Sequence, residues 1–190
     1  MTIQVNVQLV LRLTILAFVM VLLQLMFFAQ VPLFGAVADL SPLVVLAVGL
    51  LCGSVTGAAM GFTIGLMIDT ALLQTMGLSS LVLITVGYWG GRLRDARDPQ
   101  GTLTPIVLGA GAAAIATIGY GVGQFLLGAV HPLSWLLVKQ TLATIVLDAL
   151  IAMPVTALVR RWLLPVLPED PRRRRRRAYT TGGLSPLQKA

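Results

Sequence analysis

The chain has 190 residues, 57% of them hydrophobic and 11% charged, with a formal net charge of +7. A soluble domain of this length carries far more polar surface, and the apolar residues fall in long blocks without strand alternation, which excludes an ordinary water-soluble fold. Blocks of roughly 20 apolar residues match the thickness of a bilayer core, so the composition predicts an all-α polytopic membrane protein.

The first block, Val10 to Ala29, has Arg12 and Gln24 as its only strongly polar side chains. It is longer than the core of a signal peptide and no small-x-small cleavage site follows Phe28, so it reads as a retained span. In chain order the spans are predicted at 10–30, 40–53, 55–74, 78–92, 103–128 and 134–162. Ser41-Pro42 reads as an N-cap followed by proline in the first turn. The second span is shorter than a bilayer core at about 1.5 Å per residue, so it is tilted, extended back toward Ala36 or sheltered by its neighbours. A single broken helix over 40–74, giving five spans, is the competing count.

Positive charge orients the spans. Arg12 opens the first, Arg92, Arg94 and Arg97 follow the fourth, and Arg160 and Arg161 close the sixth. Loops 31–39, 74–78 and 129–133 contain no lysine or arginine. The positive-inside rule then places both termini in the cytoplasm, and an even number of spans fits that placement. Trp135 and Trp162 mark the two interfacial ends of the last helix, and Pro154 is expected to bend it.

Gly53, Gly57, Gly61 and Gly65 recur every fourth residue, the spacing that lets two helix backbones approach closely in lipid. Two readings are open: packing inside the bundle, or a seam for a second chain. Four ionisable residues belong to or border apolar spans: Asp39, Asp69, Lys139 and Asp148. Such charges face the protein interior or water, because lipid exposure is costly. Lys139 and Asp148 are too far apart on one helix to pair with each other. Asp69 is therefore the first candidate partner of Lys139, with Asp39 as the alternative. A transport or proton pathway and a water-filled groove compete with structural pairing.

No enzyme constellation stands against this. Cys52 and His131 are each the only residue of their type, so neither a disulfide nor a Cys/His metal cluster is expected, and no cofactor is implied. Gly119 and Gly123 lie inside a span with no strand before them and read as helix packing, not nucleotide binding.

From Ala38 to Arg94 the chain carries an ordered set: Asp39-Leu40, the glycine row, Asp69, Gly77-Leu78-Ser79, Gly87-Tyr88 and Gly91-Arg92. In this set it resembles the MreD family of bacterial rod shape-determining proteins; Met76 departs from the family pattern, which often has proline there. The resemblance implies a non-enzymatic inner-membrane component of the cell-wall elongation machinery. It would bind MreC directly and act with MreB and the RodA–transpeptidase pair in peptidoglycan synthesis. It also implies a six-helix fold similar to the substrate-binding subunits of vitamin (ECF-type) transporters. That similarity supplies the alternative function, a small transport subunit holding a ligand in an outward-facing pocket near Asp69 and Asp148.

Residues 1–167 thus form the predicted transmembrane bundle, and 168–190 a basic cytoplasmic tail. The tail is rich in charge, proline and glycine and is expected to be disordered. Its run of Arg172, Arg173, Arg174, Arg175, Arg176 and Arg177 suits anionic lipid, at about 1 kcal/mol per residue near the surface. Tethering to a membrane argues against nucleic acid as the partner of this run.

Overall fold

A computed structural model of the chain describes residues 7–26, 39–73, 75–96, 104–128 and 135–166. The arginine run, His131 and most of each long loop lie outside the described residues. Within them the chain forms six α-helices: α1 Val7–Met26, α2 Leu40–Cys52, α3 Ser54–Ala71, α4 Leu78–Ala96, α5 Thr104–Leu126 and α6 Trp135–Leu163. Three stretches, Val7–Met26, Ile106–Leu126 and Thr141–Leu163, are long and apolar enough to cross a membrane. Large apolar side chains are exposed on every helix but α2, among them Phe18, Phe62, Trp89, Phe125 and Leu150. That distribution is compatible with a lipid-facing surface.

The shortest helix lies at the centre. α2 has 13 residues, about 20 Å of helix, and every residue from Ser41 to Gly49 is buried. All five other helices pack against it. This explains a sequence that is apolar on every face, since such a helix is an enclosed one. Of the three expectations for its shortness, the packing displays shelter by neighbours; extension back toward Ala36 lies outside the described residues.

α2 and α3 do not form one continuous helix. Gly53 alone separates them, with φ +102° and ψ 173°, a region essentially restricted to glycine. The chain folds back sharply there, so that Gly57 comes against Gly49; an ideal Cβ on Gly57 would stand 2.7 Å from the Gly49 Cα. Eight residues of continuous helix would instead separate those two by about 12 Å.

α3 then packs antiparallel on α4 along the glycine row. A Cβ on Gly57 would lie 2.5 Å from the Gly87 carbonyl oxygen, one on Gly61 would overlap the Leu83 carbonyl, and one on Gly65 would overlap the Ser80 backbone. Gly53 extends the row differently. Gly91 approaches the backbone of Gly53 and Ser54, whereas the Cβ position of Gly53 itself has only the Arg94 guanidinium nearby, at 3.6 Å. Gly87 is wedged between α3 and α2, because a Cβ on Gly49 would also come to 2.5 Å from its oxygen. Three backbones therefore meet at Gly49, Gly57 and Gly87. α5 joins the assembly with Gly119 and Gly123 against Val82 and Leu78 of α4, and with Gly109 against Ala152 of α6.

The basic end of the bundle is tied by Arg12. Its Nη1 donates to the Trp162 carbonyl oxygen at 2.8 Å, and its guanidinium stands 5.9 Å from the Trp162 ring centroid. The start of α1 and the end of α6 therefore lie side by side. Arginine satisfies a carbonyl that the end of a helix leaves without a partner, and its charge suits the negative end of the helix dipole.

Candidate functional site

The buried polar groups gather at the start of α2. Proline at position 42 has no N–H to satisfy, which leaves the N–H groups of Asp39, Leu40 and Ser41 as orphans of the helix start. Each has a side-chain acceptor. The Asp39 N–H donates to Asp148 Oδ1 of α6 at 2.9 Å, and the Leu40 N–H to Gln24 Oε1 of α1 at 3.1 Å. The Ser41 N–H donates to Asp39 Oδ1 at 2.9 Å, and the Ser41 hydroxyl donates to the same oxygen at 2.6 Å. The N-cap is therefore Asp39, not the expected Ser41. Ser41 lies inside the helix because the aspartate two residues earlier accepts its N–H in the usual capping geometry.

Asp148 comes from near the midpoint of α6, so the N-terminus of α2 ends inside the bundle. A helix start buried in protein needs such acceptors, since water does not supply them. Three helices converge on it: α6 through Asp148, α1 through Gln24 and α2 through its own cap. Asp148 is only 1% exposed, and its second oxygen, Oδ2, is buried without a hydrogen-bond partner.

Asp69 forms a second buried polar point. It is 1% exposed and its Oδ2 accepts the Gly77 N–H at 2.7 Å, which fastens the α3–α4 turn. Gly77 has φ +93°, a conformation glycine adopts without strain. The other oxygen of Asp69, Oδ1, is buried without a hydrogen-bond partner. α3 packs chiefly on α4, α2 and α1, whereas α6 packs chiefly on α5 and α2. Lys139 lies exposed on α6. Asp39 and Asp148 are thus brought together, and Asp69 stands apart from them at the turn.

Two features of the site were not read from the sequence. Gln24 carries a signal, because a lone amide in an apolar span needs a partner. Gly49 follows the same every-fourth spacing as the row that begins at Gly53, one step earlier. Among the described residues no three His, Cys, Asp or Glu side chains gather as a metal site. A depression on the outer side of α6, lined by Leu142, Ala143, Val146, Leu147 and Leu150, is wholly apolar.

The turn bond has a measurable consequence. Asp69→Ala removes the acceptor of a part-buried N–H, a bond typically worth about 0.5–1.5 kcal/mol. The variant should show a lower unfolding temperature in detergent, while Thr70→Ala on the exposed side of the same helix leaves it nearly unchanged. Equal stability of the two would remove Asp69 from the turn's energetics. No family model, curated protein or solved structure matches the chain.

Proposed function

We propose that this chain is a non-enzymatic component of the bacterial inner-membrane machinery for cell-wall elongation, of the MreD kind. It binds MreC and helps to scaffold peptidoglycan synthesis, with MreB and the RodA–transpeptidase pair as indirect partners. The observation that carries the reading is the fate of the residues that resemble that family. Asp39 caps α2, Gly57, Gly61 and Gly65 seat α3 on α4, and Asp69 fastens the turn at Gly77. Gly87 and Gly91 receive α3 on the other side. The aspartates and glycines of the ordered set serve one packed unit, α2 to α4, which supports a common architectural purpose for them.

In this reading all six helices are spans, with both termini, the 93–102 loop and the basic tail in the cytoplasm. The tail's arginines rest on anionic lipid. The contact of Arg12 with the end of α6 supports the arrangement, because it brings two of the basic ends to one side. Cysteine labelling from outside intact cells, in a Cys52→Ser background, tests it. Reagent that does not cross membranes should leave Asp98→Cys unlabelled until the cells are permeabilised; labelling without permeabilisation would overturn the six-span arrangement.

Co-purification from detergent-solubilised bacterial membranes tests the function. MreC should come with the tagged chain, and crosslinks should reach it from exposed helix faces. Recovery of a small ligand or an ATPase module in place of MreC would favour the transport alternative.

A further inference from the structure

The start of α2 brings two carboxylates together at one helix terminus. Asp39 is well supplied with donors, since the Ser41 N–H and hydroxyl both reach its Oδ1. Asp148 receives one donor, the Asp39 N–H on Oδ1, and its Oδ2 is buried with none. A helix N-terminus supplies about half a positive charge, enough to favour one carboxylate there but not a second beside it. Asp148 accepts the N–H of the same residue whose carboxylate caps α2, so the two acidic side chains share one helix start. A bare carboxylate oxygen in a dry interior is among the costliest groups to leave unpaired.

The surrounding elements set this balance. α5 contains no Asp, Glu, Lys, Arg or His between Thr104 and Leu126, and α2 contributes no ionisable group apart from its cap and Cys52 at its other end. α1 presents the neutral Gln24 to the site, while Arg12 is held at the opposite end by Trp162. On α3, Asp69 also has one bare oxygen, but it accepts the Gly77 N–H at the α3–α4 turn, apart from the two carboxylates at the start of α2. On α4, Arg94 lies by Gly53, at the far end of α2. On α6 itself, Lys139 is exposed and nine residues away, about 13 Å along the helix.

We propose that Asp148 is a proton-binding site, with the hydrogen carried on Oδ2 while Oδ1 accepts the Asp39 N–H, so that one negative charge faces the start of α2. The ligand is a proton exchanged with water. Release of the proton sets two carboxylates against each other at the point where α1, α2 and α6 join. The proposal does not depend on the cell-wall role.

Infrared spectroscopy of the full chain in lipid nanodiscs tests it, because a protonated carboxyl has a C=O band distinct from that of a carboxylate. At neutral pH the wild-type protein should show a carboxylic-acid band that shifts in heavy water and disappears on alkaline titration. Asp148→Asn should abolish the band and Asp69→Asn should keep it. Asp39→Asn removes the repelling charge, so the midpoint at which the band is lost should move to lower pH. This variant reports on Asp148 even if Asp148→Asn fails to fold. Absence of the band from the wild type, its survival in Asp148→Asn, or an unmoved midpoint in Asp39→Asn would each overturn the proposal. A wild type without the band whose unfolding temperature rises with sodium at constant ionic strength would identify a metal cation as the ligand instead.

Discussion

Gly61→Leu abolishes the folded α3–α4 unit, whereas Ala59→Leu on the same helix is accepted. The Gly61 α-carbon faces the Leu83 carbonyl so closely that even a methyl group overlaps it, and the obstacle is backbone, which has no rotamer by which to retreat. Overpacking of side chains in a core costs about 1–3 kcal/mol; parting two helices along their whole seam exceeds that range. Ala59 is exposed, and an isobutyl group there enters the surrounding apolar medium. The expected result is an aggregated or scarce Gly61→Leu protein, which under the proposed function fails to restore rod shape, beside a normal Ala59→Leu protein. Unfolding temperature in detergent, membrane abundance and complementation measure it. Equal behaviour of the two variants would remove the glycine seam as a source of stability.

The second large effect is the contrast between two substitutions at Asp148. Asparagine retains a carbonyl oxygen for the Asp39 N–H and brings no charge into the interior, so Asp148→Asn is expected to be stable and active. Leucine fills the space but accepts no hydrogen bond. It leaves the part-buried Asp39 N–H without its acceptor, at a cost of about 1–3 kcal/mol, and frees the start of α2 from α6. Asp148→Leu should therefore lose thermal stability and complementation together. An asparagine variant that is abundant, stable and wholly inactive would show that a negative or exchangeable charge at this position does work, and would favour transport.

What could be read in advance follows from which signals are local. Helix ends at Gly53, near Gly77 and before Trp135 follow from glycine, turn residues and hydropathy breaks, all of which act within a few residues. The close approach along Gly57, Gly61 and Gly65 was legible from spacing, but its receiver was only half so. On α4 the opposing positions are Gly87 and Gly91 at one end and Leu83 and Ser80 at the other, so only part of the seam has a small-residue signature on both sides. The contact of Asp148 with Asp39 joins residues 109 apart, and no periodicity encodes it. The enclosure of α2 was legible only as one of three explanations for its shortness. An apolar helix in lipid looks the same whether its neighbours are acyl chains or other helices. The depth of Asp69 in an apolar span suggested an ionic partner and gave no hint of the backbone N–H eight residues later that its Oδ2 accepts.

The enclosure of α2 has a consequence for biogenesis in the proposed membrane arrangement. When the first half of the chain leaves the ribosome, α2 has α1 and α3 beside it but lacks the surfaces that α4, α5 and α6 later provide. The N–H of Asp39 waits longest, since its acceptor is synthesised more than a hundred residues afterwards. α2 is also too short to hold a transmembrane position alone, at about 20 Å against a core of about 30 Å. Insertion is therefore not a sequence of independent helices followed by assembly. The early segments must stay near the translocation site, or under a membrane chaperone, until α6 emerges. A chain truncated before α6 leaves that helix terminus open to lipid and becomes a substrate for membrane proteolysis.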